Sequence, residues 1–411
     1  MVTLMSERAG VRVGAAGALL ALAMTGCSAH TQAPTENKVP ATSTAASPAQ
    51  GAATPALATP SPPAASIAEA VPIRTVAKIV AEWPQVHAGT LQVVLDVVGQ
   101  DVLVSENKVK GNASGFRVRS IGSSDGAAEA WKHQGPGAGV IGADMNARTV
   151  VWMESASNDF GVAPWTLYAR DRGTGQVRRL AGSSRVDGMV PPPVPGRTDP
   201  VLLKGWVYWA QVSGRMGAEK VDILGCQVKD CHARRVVKGA ALPSAAGGHL
   251  YFVTGDRYRG RKHAARYQLR SWEPGSRRTD LLGQLATEPN ETPSGLSASG
   301  DQVAVTLTSA LKGGIALYGL DGRKVVTVDS EPQGMFVTPH AIPGYAAWGD
   351  GNASGLSTGG GYVYDFTNRR VLSFGNMPGL NVIHADGALV VWQEGTGPRP
   401  DDVTTVIGLL Q

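Results

Sequence analysis

Cysteine is scarce in this 411-residue chain, which has only three. No CxxC spacing occurs, so a multi-disulfide framework and a four-thiolate metal site are both excluded. Apolar residues nowhere run to the ~20 that a membrane-spanning helix needs. Past residue 70 the helical period is missing as well, which argues against a helical bundle or an alternating α/β fold. No nucleophile elbow on a strand-to-helix turn, no P-loop and no HExxH is present, and aspartate boxes and regular tryptophan-docking repeats are lacking too. The net charge of +5 is too slight to argue for a nucleic-acid partner.

What the chain does have is repetition. A strand-like phrase reads DVLVSE from Asp101, TVVWME from Thr149, WVYWAQ from Trp206 and HLYFVT from His249, then QVAVTL from Gln302, YAAWGD from Tyr345 and ALVVWQ from Ala388. Successive starts lie 43 to 57 residues apart. Several short alternating strands within a period of ~40 to 50 residues mark a β-propeller. The 341 residues from Val71 to Gln411 divide into seven units of about 49, so the expected fold is all-β, a seven-bladed β-propeller, with six blades plus an N-terminal extension as the alternative.

Each unit parses as four strands. In the second, GVIGA from Gly139 is innermost, followed by TVVWME, WTLYARD from Trp165 and QVRRLAG from Gln176. The last unit has no outer strand of its own. Ile73 to Val80 (IRTVAKIV) has the same basic-then-aliphatic form as QVRRLAG, and pairing it onto the last unit would close the ring and remove the exposed sheet edges.

The N-terminus has the grammar of export. Arg8 and Arg12 precede the short apolar core Val13 to Met24, and Met24-Thr25-Gly26-Cys27 follows. That tetrapeptide resembles a bacterial lipobox, apart from Met24 where Leu is usual. The resemblance implies a signal peptide over 1–26, acylation of Cys27 and a lipid-anchored, extracytoplasmic protein, or a secreted one if Cys27 is only a spare thiol. Residues 27–70 are rich in Ala, Pro, Thr and Ser without an aromatic, a composition that buries too little apolar surface to fold and reads as a tether. The folded domain is expected over 71–411.

The unit endings IALYGLDGRKVVTVDS from Ile315, YVYDFTNRRVLSFG from Tyr362 and YQLRSWEPGSRRTDLLG from Tyr267 carry an acidic turn and then a basic outer strand. This grammar resembles the propellers of TolB-like proteins and of dipeptidyl-peptidase-type enzymes. The resemblance implies a binding module for an envelope protein or polymer, because 71–411 is filled by propeller units and leaves no place for a hydrolase domain.

In an oxidising envelope Cys226 and Cys231 are expected to form a disulfide that staples the third unit's outer hairpin. Overlaying the inner strands puts Asp96, Ser297, His340 and His384 at equivalent positions. Asp96, His340 and His384 would lie on three consecutive blades and could face one opening as ligands of a divalent metal, supporting a metal-assisted lyase or hydrolase. The other reading is that these residues cap their own tight turns. Trp152, Trp209, Trp348 and Trp392 recur at one strand position and are expected to pack between blades.

Loops joining strands two to three, and unit to unit, are long and share one face. Within them Arg257, Tyr258, Arg259, Arg261, Lys262, His263 and Arg266 form a cationic cluster. Its expected partner is an envelope protein, or an anionic wall or lipid component, with no nucleic acid.

Overall fold

The structure is a computed structural model that describes residues 64–65, 67–108, 114–122, 127–134, 139–156, 164–186, 189, 199–215, 218–260, 266–276, 278–285, 287, 291–308, 313–329, 334–336, 339–352, 359–377, 383–395 and 399–411. Six of the seven repeated phrases begin second strands at the residue expected: Asp101–Lys108, Thr149–Ser155, Trp206–Arg215, His249–Gly255, Gln302–Thr308 and Tyr345–Asn352. The seventh begins one residue later, as Leu389–Gly395. Most are the second of four antiparallel strands; blade 1 adds the short inner strand Val86–His87 and blade 6 splits its inner strand into Gly334–Phe336 and His340–Ile342, and the sheets make a seven-bladed β-propeller. Only short 3₁₀ turns interrupt the strands among the described residues. The alternating Val, Trp and Tyr of these phrases suit a pleat buried on both faces.

Closure comes from the N-terminal side, as the composition predicts, but four residues further along the chain. The outer strand of blade 7 is Ala77–Pro84, antiparallel to Val403–Leu410. The residues ahead of it have a role of their own. Ala64–Ala65 adds a parallel strand to the outer strand of blade 5, Lys324–Asp329, and Val71–Pro72 does the same for Arg370–Met377 of blade 6. Between and after them, the turns Ile67–Glu69 and Ile73–Thr75 seat Ile67 against blades 5 and 6 and bury Ile73 between blades 6 and 7. The segment forms a belt along three blade rims. Residues 64–70, expected within the tether, thus include Ala65, Ile67 and Ala70 packed on the propeller. Cys27 and most of 27–70 lie outside the described residues.

The core is distributed between blades. Trp152 lies against Phe116 and Trp131 of blade 1, with ring centroids 5.1 and 5.9 Å away. Trp209, Trp348 and Trp392 cluster with residues of blades 2, 5 and 6 in turn, so each tryptophan fills the seam with the preceding blade. All four are almost fully buried, and side chains of this size dominate such seams. Their indole N–H groups need acceptors, and the residue two positions on, on the same strand face, supplies one. Trp152 Nε1 donates to Glu154 at 2.8 Å, Trp209 to Gln211 at 3.1 Å and Trp392 to Glu394 at 2.7 Å. Polar clasps add to this packing. Arg172 of blade 2 donates to Asp101 and Glu129 of blade 1, both at 2.7 Å.

The acidic turns before the outer strands are explained by capping. Asp171 accepts from Thr174 N at 2.8 Å and Asp321 from Arg323 N at 3.0 Å. Asp365, 1% exposed, accepts from the backbone of Thr367 and Asn368, the Asn368 side chain and Arg370 Nε. Burial alone would raise its carboxyl, but the bonds from Asn368 and Arg370 outweigh it and hold the group below the usual range. A carboxyl lowered in the folded state contributes stability that is complete above its unfolded value of ~4 and is lost as pH falls through the folded value. Asp365→Ala should therefore cost about 2 kcal/mol in urea unfolding at pH 7, with the gap closing below about pH 4. A gap unchanged at pH 3 would show that charge has no part in it.

Candidate functional site

The central channel opens at the C-terminal ends of the inner strands as a cavity of about 500 Å³ to which all seven blades contribute. This mouth lies on the face of the short turns between first and second strands. Among the described residues, Asp96, Asp144, Asp199 and Asp386 line it, with His340 as its histidine and neither Lys nor Arg.

Strand register confirms the sequence overlay and extends it. Asp96 pairs with Leu103, Ser297 with Ala304, His340 with Ala347 and His384 with Val391, each one residue before the tryptophan position. Asp144 and Ser244 occupy the same slot, opposite Val151 and Tyr251. The overlay missed both, although the residue facing the one before the tryptophan position would have marked them.

The slot side chains bridge blades. Asp96 Oδ2 accepts from Met145 N of blade 2 at 2.6 Å, and Asp144 Oδ2 from Leu202 N of blade 3 at 2.5 Å. Ser244 accepts from Ala298 N of blade 5 at 3.0 Å, and Ser297 from Ala341 N of blade 6 at 2.9 Å. At the closure Asp386 Oδ2 accepts from Gly99 N of blade 1 at 2.7 Å. Every acceptor reaches the following blade and satisfies an inner-strand amide that would otherwise lack a partner at the channel wall. The bond that Asp96 Oδ2 accepts runs across the blade seam, to a different blade from those that carry the two histidines. His340 and His384 do adjoin, with ring centroids 5.2 Å apart. Among the described residues no group of three or more His, Cys, Asp or Glu is placed to hold a metal.

Two Gly-x-Ser-x-Gly strings do occur, at 122–126 and 355–359. Both join β-strands, Ser114–Ser120 to Ala127–Lys132 and Tyr345–Asn352 to Gly359–Asp365. Residues 123–126 and 353–358 lie outside the described residues, and a β-strand rather than a helix follows each string.

The opposite face carries the long loops, with one exception. Blade 3 joins Trp206–Arg215 to Ala218–Gln227 by a tight hairpin, and one residue, Gly239, links it to blade 4. The cationic loop of blade 4 starts as a 3₁₀ turn, Arg257–Arg259. Tyr258 is its anchor rather than a contact residue. It is 2% exposed, packs 5.8 Å from Tyr267 and directs its hydroxyl at Pro293 O, 3.4 Å away. Burial pushes that hydroxyl far above its usual ionisation range. Arg257 Nη1 donates to Thr292 Oγ1 at 2.7 Å. Arg257, Arg259 and Arg266 are exposed. Arg261, Lys262 and His263 lie outside the described residues. Cys226 and Cys231 form the expected disulfide.

Among solved structures, the propeller domain of the Trilobed protease from Pyrococcus furiosus, described as having an open velcro topology, matches with TM-score 0.50 at 9% identity, over 79% of this chain and 97% of that one. The N-terminal domain of Nup159 gives 0.47 at 10% identity, covering 82% and 96%. An acylaminoacyl peptidase from Pyrococcus horikoshii gives 0.47 at 8% identity, covering 78% and 52%. The chain thus spans about half the length of that peptidase, and 54% of a prolyl endopeptidase it also matches. Likeness at such identities shows the fold alone. No family model matches the sequence, and no curated protein does.

Proposed function

We propose that this chain is a membrane-tethered extracytoplasmic binding propeller of the TolB-like kind, anchored through acylated Cys27, whose long-loop face takes an envelope protein or an anionic envelope polymer. The observation that carries the reading is the preset cationic turn of blade 4. Buried Tyr258 and the Arg257–Thr292 bond fix its backbone, while Arg257, Arg259 and Arg266 remain exposed. Loops held on a rigid scaffold are where binding is usually carried, and a fixed turn loses little entropy when it docks. The export signal and the lipobox-like Met24 to Cys27 place the domain outside the cytoplasm in this reading.

The test uses the full chain. Labelled fatty acid should be incorporated by the wild type and not by Cys27→Ser, and the Cys27→Ser chain should leave the membrane fraction. Replacing Arg257, Arg259 and Arg266 by Glu should weaken retention on envelope fractions by at least ~10-fold at low salt. Retention that ignores the three reversals would remove the long-loop face from the binding role.

A further inference from the structure

We infer that the rim of blades 2 and 3 is a second interaction surface, one that lies against the anionic head groups of a lipid bilayer. The outer strands Val177–Gly182 and Arg234–Lys238 belong to neighbouring blades and carry Arg178, Arg179, Arg234, Arg235 and Lys238, with Lys229 on the turn between Cys226 and Cys231 that reaches back to blade 2. All six cations are exposed. Asp171, Asp222 and Asp230 are carboxylates of these two blades near the patch among the described residues. Asp171 is occupied by its own turn, Asp222 by Gly239 N and Arg235, and Asp230 by His232.

The patch is held in place and keeps most of its charge, although Asp222 lies 3.5 Å from Arg235 and Asp171 within electrostatic reach of Arg178. Arg178 Nη1 donates to Lys229 O at 2.6 Å and Nη2 to Gln176 Oε1 at 2.6 Å, both neutral acceptors. Arg234 lies over the Trp206 ring at 4.5 Å. The side chains of Arg179, Lys229 and Lys238 have no carboxylate partner among the described residues. The disulfide contributes rigidity, since it closes the turn that bears Lys229 and sets Cys231 Sγ 3.5 Å from Leu180 O of blade 2.

A bilayer suits this surface better than a protein does. Protein interfaces concentrate their energy in buried aromatic or apolar anchors. The exposed large apolar side chains among the described residues, Met189, Leu281 and Val325, all lie off these two outer strands. A broad array of separate cations instead matches mobile anionic head groups, which can rearrange beneath each charge. The inference rests on the membrane-tethered reading but concerns a different part of the molecule from the blade 4 loop. With this rim on the lipid, the long-loop face and the channel mouth both stay open to water.

The test is sedimentation of the full chain carrying Cys27→Ser, so that no acyl chain contributes, with vesicles of phosphatidylcholine alone or mixed with phosphatidylglycerol. Binding is expected only to the mixed vesicles. It should weaken at least about 100-fold when Arg178, Arg179, Lys229 and Arg234 become Glu, and should fall as ionic strength rises from about 0.05 M to about 0.3 M. The Arg257, Arg259 and Arg266 reversal should weaken it far less than the rim reversal does. A milder variant with Gln at the same four rim positions, checked by circular dichroism, separates charge loss from misfolding. Equal binding to neutral vesicles, no binding to mixed ones, or binding that survives the rim reversals would overturn the proposal. So would saturable binding of free glycerophosphate that competes with the vesicles, since it would mark a small-anion site. Failure here with fatty-acid labelling intact would leave the tether standing, and the reverse result would leave the surface standing.

Discussion

Ile73→Ala is expected to lower the free energy of unfolding by about 3 kcal/mol, within the range for truncating a buried aliphatic side chain. Ile73 is 1% exposed and sits among Leu372 and Phe374 of blade 6 and Ile383, Trp392 and Leu410 of blade 7. It enters that seam from a segment that belongs to neither sheet. Beside it, Arg74 Nε donates to both oxygens of Glu394 at 3.0 Å and Nη2 to Glu82 at 2.7 Å. The two carboxylates raise the guanidinium further above its already high value, but Arg74 is nearly half exposed, so water screens the pairs and most of the belt's contribution lies in Ile73. Beginning the chain at Ala77 should therefore destabilise it by at least as much as Ile73→Ala while keeping the closing strand and the native β-sheet spectrum. Guanidinium unfolding of the two variants decides the matter. A chain lacking residues 1–76 with unchanged stability would mean that the belt does not hold blades 6 and 7 together.

Trp392→Ala should cost more, about 4 kcal/mol. The ring fills the seam between blades 6 and 7, and its indole N–H is satisfied by Glu394 at 2.7 Å. Its outer edge presses on Gly408 of the neighbouring strand, where an added Cβ would stand 2.8 Å from the ring. This glycine is required by close approach rather than by backbone conformation, so Gly408→Ala alone should destabilise by about 2 kcal/mol through overpacking. In the Trp392→Ala background the same methyl enters the vacated space, and its cost should vanish or reverse. A double-mutant cycle measures this coupling. Strictly additive costs would show that ring and glycine do not share the contact.

The sequence revealed most about what is local and periodic. Second strands announced themselves through Trp152, Trp209, Trp348 and Trp392 and the aliphatic residues around them. The disulfide followed from two cysteines five apart at a hairpin. The closing strand was recognised by composition but placed at 73–80, because Ile73 and Val76 fit an aliphatic strand as well as Ile79 and Val80 do. Only register on Val403–Leu410 separates a plug from a strand. The two-residue pairings at Ala64–Ala65 and Val71–Pro72 are too short to leave any periodicity. Asp96 and Ser297 were correctly equated, yet their partners are backbone amides 49 and 44 residues downstream, and no local pattern reports those. Tyr258 sat among arginines and resembled a surface residue, whereas its burial depends on Tyr267 and Pro293 of other strands.

The belt also has a mechanical meaning. Within the described belt, tension from the N-terminal side loads Ala64–Ala65, then Val71–Pro72, then Ile73 and Arg74, ahead of the eight-residue strand that closes the ring. Two short pairs and one plug thus act as fuses in series. Tension arriving along the chain meets the rims of blades 5 and 6 before it meets the strand that closes the propeller.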